Sequence, residues 1–328
     1  MIPVDTLTGL LDGTRARGAF LLRTVVEPPF ALRIQDQASL TLVTVVQGTA
    51  QIIRDAPVAL QPGDVAVIRG PEPYTVADDP ATPWQTIIQP GQVCTTVDGV
   101  PREHLGVRSW GDRVAGGTEL LTGTYQLRSE VSRRMLEALP AMLVQPAAAT
   151  DRTLVGLLLT EMAGTAPGQE LVLDRLLDLL LVSVLRAWLA SPSAGTRQQA
   201  QHDPIVGPAL RLLHTAPEEP WTVAALAAKA GVSRSALARR FTDLVGEPPM
   251  AYLTGWRLAL AADLLREPDA TIGAVARRVG YGSAFALSAA FKRERGQSPQ
   301  DYRRETAEGQ GKHFTTYDPG VVVLDSAS

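Results

Sequence analysis

The chain has 328 residues, with 31 Lys+Arg against 34 Asp+Glu for a net charge of −3, and is long enough for two domains with cores of their own. Its single cysteine, Cys94, excludes an intramolecular disulfide and points to a reducing compartment. The first residues carry no basic-then-apolar leader, and the apolar stretch Leu171 to Ala190 is interrupted by Asp174, Arg175, Asp178 and Arg186, so neither export nor membrane insertion is expected and a cytoplasmic location is.

In chain order, residues 2–12 suggest a short helix. From Ala19 to about Gln89 the segments LLRTVVE, FALRI, SLTLVTVVQG, AQIIRD, DVAVIRG, YTVAD and WQTIIQ are short and rich in Val, Ile, Leu and Thr. Turn residues bound them: Pro28-Pro29, Gly48, Pro62-Gly63-Asp64, Gly70-Pro71 and Asp78-Asp79-Pro80. This pattern predicts an antiparallel sandwich or barrel. Residues 91–125 read as a long loop or irregular hairpin that rejoins the β structure at Glu119 to Leu127.

The string ALQPGDVAVIRGPEPYTV (Ala59 to Val76) resembles the Pro-Gly-Asp corner and following strand of a cupin, a small jelly-roll barrel. The resemblance implies a barrel over about residues 15–127. Catalytic cupins hold a metal with two or three histidines and a glutamate, but here no histidine precedes His104, Tyr74 follows Pro73, and the strand Ser39 to Val46 has no imidazole. No metal, no cofactor and no enzyme activity are therefore expected, and the barrel should bind an organic ligand or none. Candidates for lining a ligand pocket are Tyr74, Trp84, Cys94, Trp110 and Tyr125. For Cys94 the plainer reading is a small buried apolar group.

Helical periodicity returns at Ser129 to Leu139, Thr153 to Ala163 and Leu171 to Leu189. In the last, Leu173, Leu176, Leu177, Leu180, Val184 and Trp188 form an apolar seam suited to packing on the chain's own barrel or on a second copy of itself. Residues 1–190 thus read as one domain, with helices over 129–190. Ser191 to Gln201 has the small, polar composition of a linker, here taken as residues 191–203.

From residue 204 to 305 the charge balance reverses. Asp203 to Glu305 hold 14 Lys+Arg and 11 Asp+Glu, a net of +3, against −4 for residues 1–202. One helical pattern is written twice in this part, as TVAALAAKAGVSRSALARRF (Thr222 to Phe241) and TIGAVARRVGYGSAFALSAAF (Thr271 to Phe291). Each copy reads as a helix-turn-helix: a capped short helix, a glycine turn at Gly231 or Gly280, then a helix opened by Ser233 or Ser283. Leu237 and Phe241, and their counterparts Leu287 and Phe291, mark the buried faces. Between the copies, Pro248-Pro249 starts a helix that runs to about Arg266, with Met250, Leu253, Trp256, Leu260 and Leu264 inward. Such a rod is about 25 Å long at ~1.5 Å per residue, a length that suits two recognition helices in successive stretches of the major groove.

The run GYGSAFALSAAFKRERGQSPQDYRR (Gly280 to Arg304) resembles the signature of the AraC/XylS family of bacterial transcription regulators. The resemblance implies a two-domain α+β chain: an N-terminal cupin-like antiparallel β-barrel with dimerisation helices, and a C-terminal all-α double helix-turn-helix. It also implies double-stranded DNA as partner, RNA polymerase contact beside a promoter, activation, a small-molecule effector, and a homodimer through Leu173, Leu177, Leu180, Val184 and Trp188. Base-facing positions carried over are Ser235, Ala238 and Arg239 in the first unit, and Ala284, Phe285 and Ala289 in the second. Ser233, Arg234 and Arg240, and Ser283, Ser288, Lys292 and Arg293, complete the expected DNA face; Arg295 joins Lys292 and Arg293 as a phosphate-positioning candidate. The family often carries Arg where Ala289 stands and a polar residue where Phe285 stands, so the second unit has little to hydrogen-bond a base edge. Arg239 alone has the fork that reads guanine O6 and N7. A cupin-type enzyme with an appended DNA reader, and a DNA-binding dimer that needs no ligand, remain alternatives. Residues 306–328 read as a tail.

Overall fold

The computed structural model describes residues 20–101, 104–106, 108–112, 117–126, 129–137, 139–191 and 195–310. The short helix expected at residues 2–12 and the end of the tail lie outside them.

Two β-sheets face each other in the N-terminal half. The first runs β10 (His104–Gly106), β11 (Ser109–Gly111), β1 (Phe20–Val26), β12 (Thr118–Tyr125), β3 (Leu40–Gln47), β6 (Val65–Arg69), β13 (Met142–Gln145). The second runs β5 (Pro57–Leu60), β4 (Ala50–Ile53), β7 (Tyr74–Ala77), β2 (Ala31–Ile34), β8 (Thr86–Gln89), β9 (Val93–Thr96). Between them lies a core that includes Leu32, Val43, Ile52, Ile68 and Trp110.

The antiparallel barrel expected from the sequence is corrected on two counts. Both sheets are mixed, because β1 pairs with β11 in parallel and β2 pairs with β8 in parallel, and neither sheet closes. Side-chain alternation is the same in parallel and antiparallel strands, so the pattern that identified the strands carried no information on their direction. The stretch read as a loop supplies β9 to β11, and β13 comes from within the segment read as helical.

The first sheet is covered on both faces, which is why Leu40 to Val45 of β3 are all buried. Its outer face carries three helices: α1 (Glu130–Leu136), α2 (Arg152–Ala163) and α3 (Gln169–Ala190). Gly123 of β12 allows α3 to come close, since a Cβ there would stand 2.6 Å from a Leu177 methyl. Tyr125 at the end of β12 donates its hydroxyl to the Leu177 carbonyl at 3.0 Å.

Eight helices are described in the C-terminal half: α4 (Gly195–His202), α5 (Val206–Thr215), α6 (Val223–Lys229), α7 (Arg234–Val245), α8 (Pro249–Leu264), α9 (Ile272–Arg278), α10 (Ala284–Arg295) and α11 (Pro299–Gln310). The expected linker is itself largely helical. Ala200 of α4 enters the core of the first helical unit, and Asp203 accepts from the Ile205 and Val206 amides at 2.9 Å to start α5. Helix α11 likewise extends into the expected tail.

The long helix α8 is buried on several sides, with no single apolar stripe. Leu253 joins the first helical unit, Leu258, Ala261 and Ala262 join the second, and Trp256 and Ala259 pack into the core beneath the first sheet. Alanines at 259, 261 and 262 let three neighbours approach one rod.

Candidate nucleic-acid interface

The doubled sequence is doubled in geometry. Thr222 and Thr271 cap α6 and α9 by accepting from Ala225 and Ala274 amides, each at 3.1 Å. Ser233 and Ser283 do the same for α7 and α10, from Ala236 at 3.2 Å and Ala286 at 3.1 Å. Gly231 and Gly280 turn the chain at φ +67° and +82°, and Gly246 and Gly296 end the second helices at +91° and +74°. The ring of Phe241 meets Tyr252 edge-on at 5.7 Å, and Phe291 meets Tyr302 edge-on at 5.5 Å. These shared caps and contacts fix the direction of each second helix on its own small core.

The faces so presented differ in chemistry. On α7, Arg234, Ser235 and Arg239 are exposed and Ala238 is partly so, and Arg239 makes no ion pair among the described residues. Arg240 is committed elsewhere: its guanidinium holds Asp203 at 2.6 Å. Burial works to raise the Asp203 pKa, but Arg240 and the two capping amides together hold it below the ordinary carboxylate value. On α10, Ala284, Phe285 and Ala289 are exposed, Phe285 by 83%, with Ser288 partly exposed. Lys292 and Arg293 lie further along; Arg293 is 3.1 Å from Glu294. An exposed phenylalanine at the tip of a capped helix costs hydration unless something apolar meets it, and a thymine methyl is such a group.

The expected ligand residues are not gathered in one place. Tyr74, Cys94 and Trp110 are buried in the core between the sheets, and burial pushes the Tyr74 hydroxyl far above its ordinary pKa. Tyr125 lies on the opposite face, under α3. Trp84 is exposed on the surface, with the Arg33 guanidinium 4.9 Å over its ring.

The seam proposed for dimerisation is corrected as well. Leu173, Leu177, Leu180, Val184 and Trp188 are each no more than 6% exposed, because α3 spends that stripe on the chain's own sheet and on α2. The large apolar residues that α3 leaves exposed are Leu171, Val172 and Leu179, and α2 leaves Leu157 exposed. The periodicity identified the stripe correctly and gave no sign of which surface would cover it.

What sequence reasoning missed is the contact between the halves. Asp263 of α8 receives Ser129 Oγ at 2.7 Å and the Glu130 and Val131 amides at 2.7 and 3.1 Å, so a carboxylate of the helical half caps α1 of the β half. Glu130, only 6% exposed, receives Arg295 at 2.9 Å and the Tyr302 hydroxyl at 3.3 Å, with Arg133 also paired and Arg266 3.7 Å away. Arg295, expected on the phosphate-facing side of α10, is thus turned inward. Arg134 of α1 pairs with Glu247 at 2.6 Å and lies against Gly255 of α8. Apart from Arg133, these partners are more than a hundred residues apart in sequence and leave no periodic trace.

Residues 5–190 match the Cupin family, and residues 226–305 match a helix-turn-helix domain family. An AraC-like transcription regulator of Streptomyces lividans is 35% identical over 92% of this chain and 98% of its own length. The HTH-type transcriptional regulator AlkR of Acinetobacter baylyi is 27% identical over 92% of this chain and 100% of its own length. Among solved structures, the DNA-binding domain of AdpA in complex with a target DNA is 34% identical and covers 34% of this chain and 98% of that one, with a TM-score of 0.32. No helix among the described residues is long and apolar enough to cross a membrane. With a cupin domain ahead of a doubled, separately capped helix-turn-helix, and relatives alike along nearly the whole length, the chain belongs to the AraC-like family of transcription regulators.

Proposed function

We propose that the chain regulates transcription by laying α7 and α10 into successive stretches of the major groove, with Arg239 as the principal base reader. The observation that carries this is the unequal pair of outer faces. Arg239 stands exposed and unpaired among the described residues on one, and Phe285 stands 83% exposed on the other. In this reading the first unit selects sequence by hydrogen bonds, and the second adds an apolar contact and phosphate anchoring through Lys292 and Arg293. Ser233, Arg234, Ser235, Ala238, Ser283, Ala284 and Ser288 border these contacts, while Arg240 sets the orientation of α7 through Asp203.

The cupin half acts as the controlling domain: a small-molecule effector shifts the population able to grip DNA, and RNA polymerase is the downstream partner of an activator. Self-association, in this reading, uses exposed apolar residues of α2 and α3 such as Leu157, Leu171, Val172 and Leu179 in place of the buried seam. The test is selection of binding sites from a random duplex pool by the full chain, followed by sedimentation with and without the selected DNA. Enrichment of a bipartite site, with one half more strongly specified than the other, is the expected outcome. Recovery of no preferred sequence overturns the reading.

A further inference from the structure

The space between the two sheets beside Tyr74 amounts to about 20 Å³, lined by residues such as Leu32, Val43 and Ile88. That is room for about one water and for no organic effector. A cavity of about 180 Å³ lies instead between the halves, where α1 and the end of α3 face α5 and α8. Leu185 and Trp188 line it from the β half, and Leu210, His214, Tyr252 and Trp256 from the helical half. A dry apolar cavity of roughly 150 Å³ takes up benzene, so this one is the right size for a single aromatic ring with a small substituent. Its walls suit a ring, with His214 and Trp256 already 4.3 Å apart between centroids.

Polar groups narrow the chemistry. Trp256 is 3% exposed and its Nε1–H is buried with no acceptor among the described residues. A buried donor left unmatched is costly, and an acceptor on a bound molecule relieves that cost. Charge argues against an anion. Arg134 is already engaged by Glu247 at 2.6 Å, Glu137 adds a second carboxylate to the lining, and burial with the neighbouring Arg134 holds His214 down to about 4, hence neutral.

Resting on the effector-controlled reading above, we propose that this inter-domain cavity, and not the interior of the sandwich, is the effector site. It takes a neutral one-ring aromatic molecule with a carbonyl or ether oxygen for the Trp256 Nε1–H. Such a ligand touches both halves at once, so its occupancy favours their docked arrangement.

The test titrates the full chain with acetophenone, with ethylbenzene as a ring of similar size without an acceptor, and with benzoate as the anionic counterpart. Binding is read by calorimetry and ligand-observed NMR. Wild type is expected to bind acetophenone saturably and about tenfold more tightly than ethylbenzene, with benzoate failing to compete. Trp256→Phe removes the donor, keeps a ring, and brings acetophenone down to the ethylbenzene level. Leu210→Trp fills the cavity and abolishes binding of both neutral probes. Selected-DNA binding without probe, kept by both variants, confirms that each is folded and separates failure of this site from failure of the DNA-binding reading. No saturable binding of acetophenone, or binding that survives Leu210→Trp, overturns the site. Benzoate binding more tightly than acetophenone overturns the neutral ligand class.

Discussion

Arg239 and Arg240 are neighbours in sequence with different work to do. Arg239 projects from α7 without an ion pair among the described residues, whereas Arg240 is spent on Asp203, the residue that starts α5. Arg239→Ala should therefore cost about 1–3 kcal/mol of affinity for the selected DNA and relax preference at one base pair, as bidentate contacts to guanine do. Lys292→Ala should weaken all sequences alike and flatten the salt dependence by about one counterion. Both are read by titrating matched and point-altered duplexes at two salt concentrations; loss of affinity without change of preference in Arg239→Ala would make that residue a phosphate contact. His214 offers a second prediction at this scale. Burial first, and then Arg134, lower its pKa from 6.5 to about 4 in the folded chain, where its Nε2 lies 2.6 Å from the Tyr252 hydroxyl. Between those two values the unfolded chain binds a proton that the folded chain refuses. Its effect is absent above pH 6.5, and stability falls as pH drops from 6.5 towards 4, by up to ~3 kcal/mol at 1.36 kcal/mol per pKa unit. Urea unfolding at pH 7 and pH 4.5 should show this loss in wild type and a smaller one in His214→Gln.

At the scale of elements, equal motifs carry unequal loads. Gly231 and Gly280 occupy matching turns with φ of +67° and +82°, yet a Cβ on Gly231 meets nothing within 4 Å, while one on Gly280 stands 2.7 Å from the Glu218 carbonyl oxygen. Gly231→Ala should cost only the left-handed strain, about 1–2 kcal/mol. Gly280→Ala adds a backbone clash and should cost visibly more in the same thermal unfolding experiment; equal losses would mean that the Glu218 loop yields freely. The contrast also shows what could be read from the chain beforehand. Caps, glycine turns and the buried Leu and Phe positions are local and repeat at a fixed spacing, so both helix-turn-helix units were legible in residues 222–291. Strands β1 to β4 and β6 to β8 were legible from their short apolar runs between turn residues, whereas β5 (Pro57–Leu60) was not among the segments so read. The parallel pairing of β1 with β11, the helix at Gly195–His202 and the inward use of the α3 stripe were not legible. Each depends on which surface arrives from elsewhere, and composition within a window does not encode that. The proposed DNA-facing positions were read from local pattern together with resemblance, whereas the inter-domain cavity, lined from six separate helices and their ends, had no local signature.

At the scale of the molecule the two halves are bridged by buried charge, and one of its members, Arg295, comes from the helix proposed to face DNA. Glu130 sits amid Arg133, Arg266 and Arg295, and Asp263 caps the helix that Glu130 begins. Removing the Glu130 charge leaves guanidinium groups facing one another without a counter-ion, and breaking a buried pair from one side costs roughly 3–5 kcal/mol. That cost falls on docking and not on either core, because Glu130 lies at the contact and belongs to neither apolar cluster. Glu130→Gln should thus leave the two halves folded and loosen their contact, which limited proteolysis within residues 191–203 would register as faster cleavage. It also frees Arg295, at the C-terminal end of α10, for a phosphate. The slope of log K against log salt for the selected DNA should then steepen by about 0.9 for the one added neutralised phosphate. Faster cleavage with an unchanged slope would keep the latch and deny Arg295 a place on DNA. An unchanged cleavage rate would mean that the apolar packing of Trp256 and Ala259 beneath the first sheet holds the halves together without the charges.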